Sequence, residues 1–314
     1  MSDNRAIPAS VRVGLPQAQG ELPPVPGSQS IAAPVITEAQ RKRKGEPIDH
    51  SHPATKVVGY IALVLTVLMI LVPLYFIFIT SFKSFQDVYS DPISFWPNPF
   101  KAENYSYVWQ TSGFSSYLKN SVIITLVLTV VEVVLGVLTA YAFAFIRFPG
   151  RNLLFLLIIA SLMVPNQITI ISNYSLVASW GWRDTYAGVI IPLAGVAFGA
   201  FLMRNHFQSL PPEILEAARM DGAGFFTTLF RVVLPMSWPT LSAFVLITVV
   251  NEWNQYLWPF LITDTPAAAT LPVGLTRLQD AEGVTNWAPV MAGTVLTTLP
   301  TVSYTHLTLP TSDL

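Results

Sequence analysis

The residues best suited to handling a polar solute are concentrated in one apolar stretch. Asn251, Glu252, Trp253, Asn254, Gln255, Tyr256 and Trp258 follow in near succession. Amides and carboxylates hydrogen-bond hydroxyl groups, and aromatic rings stack on C–H faces, so the mixture suits a carbohydrate path. Successive residues of a helix face different ways, so at most half can line one path. Asn251, Asn254, Tyr256 and Trp258 are the expected substrate-path residues. The cluster serves equally well as interhelical hydrogen bonds plus an interfacial aromatic belt, and both readings stand.

Other polar groups carry less chemistry. Asn166, Gln167, Asn173 and Tyr174 read as structural. Glu132 is a lone acid, expected to pair across a helix interface or face a cavity, with helix packing the simpler role. Glu132 and Glu252 stand as isolated intramembrane acids. The four histidines, His50, His52, His206 and His306, are scattered, and there is no cysteine, so no metal site is expected. No Gly-x-x-x-x-Gly-Lys-Ser/Thr run occurs, so a phosphate-cradling loop of that kind is absent. The chain is expected to hold no catalytic residue, to bind no cofactor itself and not to be an enzyme.

Composition says what must position these groups. Of 314 residues, 52% are hydrophobic and 11% charged, against roughly 25% charged in soluble domains. Long runs without Lys, Arg, Asp or Glu approach the roughly 20 residues a spanning helix needs. Net charge is −1, which gives no reason to expect nucleic acid as a partner. Six segments stand out: Val57–Thr80, Val122–Phe145, Leu153–Tyr174, Ala187–Met203, Leu241–Ile262 and, shorter, Ala288–Val302. The expectation is an all-α membrane protein of about six transmembrane helices in contact with lipid. Residues 1–55, rich in Pro, Ser, Ala and Gln, read as a disordered cytoplasmic tail. Residues 56–302 form the transmembrane domain.

Orientation follows from Lys and Arg. With the N-terminus cytoplasmic, the inner flanks hold Arg41, Lys42, Arg43, Lys44, Lys56, Arg147, Arg151, Arg204, Arg219 and Arg231. The outer loops hold Lys83, Lys101, Lys119, Arg183 and Arg277. That bias is the one the positive-inside rule requires. It makes 208–239 a long cytoplasmic loop. Ser209, then Pro211, Pro212 and Glu213, is a helix-start signature with Ser209 as the capping hydroxyl. Gly222 is expected to stop or bend that helix. A second helical stretch, Phe225–Leu234, precedes Pro235 and Pro239. Ile214, Leu215, Ala218, Phe225, Phe226, Leu229 and Phe230 give the loop apolar surface, either for gripping a soluble partner or for packing on the chain's own helices.

Glu216-Ala217-Ala218, Gly222 and Val232-x-Leu234-Pro235, with Asp221 and Ala223 between, resemble the EAA loop of permease subunits of binding-protein-dependent ABC importers. Phe148-Pro149-Gly150-Arg151, Met163-Val164-Pro165, Trp253-Asn254-Gln255-Tyr256-Leu257-Trp258-Pro259 and Leu271-Pro272-Val273-Gly274-Leu275 resemble the carbohydrate-uptake branch, over roughly Val57–Pro300. The subunit type is similar to the maltose system's smaller permease. The resemblance implies an ABC-importer permease (MetI-like) core, multi-pass in a bacterial-type inner membrane. It implies ATPase coupling through Glu216, Ala217, Ala218, Asp221, Gly222, Leu234 and Pro235. It implies as partners an ATP-binding subunit pair carrying ATP-Mg, a second permease subunit (a homologue or a copy) and an extracytoplasmic solute-binding protein, with a sugar as substrate.

Two alternatives are weaker. A secondary transporter would favour paired intramembrane ions, inverted repeats and interrupted helices. A scaffold without transport leaves the polar fifth span unexplained. Residues 303–314 depart from the family pattern, and a truncated or chimeric end with a shortened sixth helix is expected there.

Overall fold

The computed structural model of the chain describes residues 53–111, 113–279 and 283–308. Most of the tail assigned to 1–55, and residues 309–314, lie outside the described residues. The chain divides into residues 1–62 and 63–314, and the account below concerns the second. Every regular element among the described residues is helical.

The first helix, α1 (Pro53–Thr80), begins in the first unit and supplies a run of exposed apolar side chains, from Leu63 to Leu74, to the second. Two short helices follow, α2 (Phe85–Val88) and α3 (Glu103–Thr111). Then comes α4 (Phe114–Phe145), 32 residues long and the axis of the molecule. Next are α5 (Arg151–Ser161), α6 (Asn166–Ser179), α7 (Tyr186–Leu193) and α8 (Ala197–Gln208). The loop 208–239 contains α9 (Pro212–Met220), α10 (Phe225–Thr228) and α11 (Leu234–Met236). The chain ends with α12 (Trp238–Trp253), α13 (Leu257–Ile262), α14 (Leu271–Thr276) and α15 (Trp287–Thr308).

The expected spans are only partly continuous, and prolines explain the breaks. Proline lacks an N–H and its ring excludes the carbonyl four residues earlier. Pro165 sets the end of α5 at Ser161, which splits the expected third span, Leu153–Tyr174, into α5 and α6. Pro259 acts likewise on Gln255, so the fifth span is interrupted between Trp253 and Leu257. Two helices, Thr55–Thr80 and Phe114–Phe145, are long and apolar enough to cross a bilayer alone. Two bent pairs, Tyr186–Leu193 with Ala197–Gln208 (43°) and Phe225–Met236 with Trp238–Ile262 (85°), reach that standard when joined. By length and composition the described helices therefore give up to four spans rather than six. The final helix is longer than its apolar run suggested, reaching 22 residues and Thr308.

Three apolar clusters are strung along α4. One end packs Phe114 and Tyr117 with Val108, Trp253, Leu271 and Ala292. The middle packs Ile124 and Leu128 with Val177, Val189, Trp258 and Ile262. The other end packs Val137, Ala140 and Tyr141 with Met203, Phe207, Leu229 and Phe244. In lipid there is little hydrophobic drive between helices, so close backbone approach through small residues matters more. Gly136 and Gly199 provide it: a Cβ on Gly136 would lie 3.2 Å from the Gly199 Cα.

Loops assigned to one side of the membrane meet each other. Arg183 pairs with Asp264, and Asp184 Oδ1 accepts the backbone N–H groups of Asp264 (2.7 Å) and Thr265 (2.8 Å). Asn120 Nδ2 donates to the carbonyls of Pro266 and Ala269, and Tyr186 donates its hydroxyl to Asn120 Oδ1. At the opposite end Arg204 donates to the Phe143 carbonyl and lies 3.9 Å over the Phe155 ring.

A methyl on Gly199 would sit 2.2 Å from Phe244 Cζ, inside the ring's own volume. Gly199→Leu is therefore expected to destabilise the α4–α8–α12 contact by at least about 1–3 kcal/mol, the usual cost of overpacking. The check is the thermal midpoint of the detergent-solubilised chain. Gly150→Asn, at a positive φ of 76° with nothing within 4 Å of its Cβ direction, serves as the mild control.

Candidate functional site

The cytoplasmic loop is built by backbone rules that the sequence partly concealed. Ser209 does not cap α9. Its hydroxyl donates to the His206 carbonyl at 2.7 Å and closes α8. Pro211 occupies the N-cap position with no side-chain cap, Pro212 opens the helix and Glu213 lies in its first turn. The serine is two residues too early, because Pro211 must stay extended ahead of Pro212. The exit matches expectation. Gly222 adopts φ +74°, its N–H bonds the Arg219 carbonyl, and the Ala223 N–H bonds the Ala218 carbonyl. This is a Schellman ending, which a left-handed glycine makes without steric cost.

The second stretch is helical from Phe225 to Met236, with a π turn at Leu229–Val233 where the Leu234 N–H reaches the Leu229 carbonyl. Pro235 accounts for the widening, since its ring would otherwise meet the carbonyl of Arg231. The chain then turns by 85° at Ser237, whose buried hydroxyl donates to the Val233 carbonyl at 2.7 Å.

Of the two expected uses of the loop's apolar surface, packing on the chain's own helices occurs on one face, and the apolar side chains of the other face stay exposed. Leu215, Ala218, Leu229 and Val233 pack inward against Tyr141, Phe145 and Phe207, and Phe225 meets the Tyr141 ring edge-on at 4.6 Å. Ile214, Met220, Phe226 and Phe230 point outward, Met220 with 87% of its surface exposed. Among the EAA-type residues, Glu216, Ala217, Asp221, Gly222 and Pro235 are exposed, Leu234 is half-buried and Ala218 is buried. A cavity of about 750 Å³ lies beside this face, bounded by Arg147, Arg151, Glu216 and Arg219.

The polar run at the end of α12 is sorted by the break that Pro259 imposes. Asn251, Asn254 and Tyr256 are exposed, and Tyr256 stacks on Phe260 at 5.3 Å. Asn254 closes α12, donating its side-chain amide to the Val250 carbonyl at 2.7 Å. Trp258 does not join them. It is buried, and its Nε1–H donates to the Gly188 carbonyl at 3.1 Å. That carbonyl has no helical N–H to accept because residue 192 is proline. Trp253 is likewise buried, donating to the Thr297 carbonyl. Gln167 is exposed, while Asn173 and Tyr174 are half-buried.

The two acids thought to be isolated are not. The Gly136 position meets both the Phe244 ring and Gly199, so Glu132, one turn earlier on α4, lies on the face turned to α12, which carries Glu252, and to α8. Sequence could not pair residues 120 positions apart on different helices. No group of three or more potential metal-ligating His, Cys, Asp or Glu occurs among the described residues.

Comparison with known proteins agrees with this architecture. The family model for the binding-protein-dependent transport system inner membrane component matches residues 132–308. The sn-glycerol-3-phosphate transport system permease protein UgpE of Yersinia pestis bv. Antiqua (strain Antiqua) is 37% identical over 250 residues, covering 77% of this chain and 89% of that protein. UgpE of Brucella suis biovar 1 (strain 1330) is 33% identical over 258 residues, covering 80% and 92%. In fold, the chain is similar to a bacterial ABC transporter involved in import of the acidic polysaccharide alginate, with TM-score 0.71, 24% identity and coverage of 82% and 96%. A second structure, of the alginate ABC transporter in complex with alginate pentasaccharide-bound periplasmic protein, gives TM-score 0.62 at 15% identity, covering 82% and 94%. By its family match and its full-length relatives, the chain belongs to the inner-membrane components of binding-protein-dependent transport systems.

Proposed function

We propose that this permease forms half of the translocation path of an ATP-driven importer for a sugar or a sugar-like polyol, coupled to a separate ATPase through 208–239. The observation that carries the coupling is the two-faced loop. Its inner face is anchored to α4 and α8, while Glu216, Ala217, Asp221 and Gly222 are presented outward beside a cavity bounded by arginines. A helix anchored on one side and bare on the other suits a docking element that must transmit a push without folding away.

ATP-Mg would be held and hydrolysed by the partner ATPase pair, not by this chain. The exposed apolar side of α1 between Leu63 and Leu74 suits lipid or a second permease subunit. An extracytoplasmic solute-binding protein would deliver the substrate, as the alginate pentasaccharide-bound periplasmic protein in the similar structure suggests. Asn251, Asn254 and Tyr256 are the path residues supported by their exposure. Trp258 belongs to the packing that holds α13 against α7.

Glu216→Arg reverses an exposed charge without touching the packed face. It is expected to lower ATP-dependent uptake into proteoliposomes by roughly tenfold or more, the scale of one lost charged contact of about 1.4 kcal/mol, while insertion and yield stay unchanged. Gly222→Val has open space around it but forces a left-handed β-branched residue, at a cost of about 1–2 kcal/mol. It should lose coupling in the same assay. Normal uptake in both variants overturns the coupling assignment. Asn254→Leu should raise the apparent KM for substrate delivery with little change in ATPase docking, measured by co-purification. An unchanged KM would return Asn254 to a capping role alone.

A further inference from the structure

The fifth span and the central helix cross antiparallel, and their register brings unusual groups together. A Cβ on Gly136 of α4 would lie 3.2 Å from the Phe244 ring of α12. At the other end of the crossing, Val122 and Thr125 share a groove with Val249 and Trp253. Counting helical turns between these contacts places Thr248 beside Glu132, and Glu252 beside Leu128 and Thr129. The count puts the two acids on facing stripes of the crossing, about one helical turn apart.

Glu252 is only 7% exposed, and its Oε2 has no hydrogen-bond partner. Thr125 and Thr129 are buried on the same face of α4 as Glu132, at the spacing of successive turns, and their hydroxyl oxygens are also unpartnered. Gly136 faces Gly199 and Arg204 reaches the Phe143 carbonyl, so α4 and α8 run parallel and Glu132 lies level with Gly195, in the break between α7 and α8. Glu252 lies one turn before the break between α12 and α13 and contacts the Gln255 side chain. Two acids, two hydroxyls and two interrupted helices thus converge inside the bundle.

Two carboxylates about one helical turn apart in an apolar bundle repel each other unless a counter-charge lies nearby. The ion pairs described elsewhere, Lys101–Glu103 and Arg183–Asp264, involve neither acid. Tyr256, in the joint one turn beyond Glu252, is exposed and stacked on Phe260. The remaining titratable groups on the elements packed here are Tyr117, Lys119 and Tyr141 on α4, Tyr186 on α7, and Arg204 and His206 on α8. Each is nine or more residues along its helix from Glu132 or Gly195, over two turns away. Residues 287–300 of α15 carry none. Unwound backbone beside intramembrane acids is a setting in which small cations bind.

We propose that Glu132 and Glu252, with the hydroxyls of Thr125 and Thr129, form a site for one monovalent cation, a proton or a sodium ion. The oxygen-only donor set suits either: a proton shared between the carboxyls, or sodium held by carboxylate and hydroxyl oxygens. Occupancy ties α4 to α12 and to the α7–α8 break. The bound charge therefore stiffens the part of the bundle that joins the cytoplasmic loop to Asn251 and Asn254. The site stands whether or not the cargo is a sugar.

The test is thermal unfolding of the purified full-length chain, in sodium chloride and in choline chloride, each in mildly acidic and mildly alkaline buffer. The wild-type midpoint should rise by a few degrees on acidification, on adding sodium in alkaline buffer, or both. Acidification alone identifies the proton, and a sodium response identifies the metal ion. The Glu132→Gln/Glu252→Gln double variant should lose the response. If that variant does not fold, infrared spectra of the wild-type chain decide. A protonated-carboxyl C=O band that is titrated away, or removed by sodium, supports the site, and a band unaffected by both overturns it. An unresponsive wild-type midpoint, or the same response in the double variant, also overturns it.

Discussion

The packing of every later helix depends on α4 offering a surface that other backbones can approach closely. Within a bilayer an apolar side chain gains little by leaving lipid for protein, so helices associate through close fit and through polar groups that find partners. Along its 32 residues α4 supplies both. Gly136 admits Gly199 and the ring of Phe244, Ala140 is fully buried, and Asn120 and Ser121 bind backbone groups 146–150 positions away. All three apolar clusters include α4 residues, so displacement of this helix would open the whole second unit.

Where the surrounding helices break is set by proline and repaired by side chains. A backbone carbonyl deprived of its helical donor is costly away from water. The Gly188 carbonyl, opposite Pro192, takes the Trp258 indole instead. The Gln255 carbonyl, opposite Pro259, takes the Thr270 hydroxyl at 3.3 Å. These repairs fix the interruptions in place as defined joints. Among the described residues, the buried oxygens of Thr125, Thr129 and Glu252 lack hydrogen-bond partners along α4 and α12, as does His206 Nε2 on α8.

The joints give a physical route between the two ends of the molecule. The cytoplasmic loop leaves the π turn at Leu229–Val233, pivots by 85° at Ser237 and continues as α12. α12 carries Asn251, Glu252 and Asn254 at its far end. Its near end is held by Phe244 in the same cluster as Leu215, Leu229 and Val233. The loop is therefore packed into the same cluster that holds the near end of α12, the helix whose far end carries the polar run.

Sequence alone determined what depends on local rules and summed composition. Membrane residence follows from charge-free runs, the helix stop at Gly222 from its residue type and place in the motif, and family from spaced motifs. Those signals lie within a few residues of each other or add up along the chain. Tertiary structure decided which member of a local pattern faced what. It turned Ala218 inward and Glu216 outward, and buried Trp258 while leaving Tyr256 exposed. It assigned Ser209 to the end of α8 rather than the start of α9. It also joined Glu132 to Glu252, because facing and pairing depend on the antiparallel register of α4 and α12, set by contacts such as Gly136 with Phe244 that no local spacing encodes.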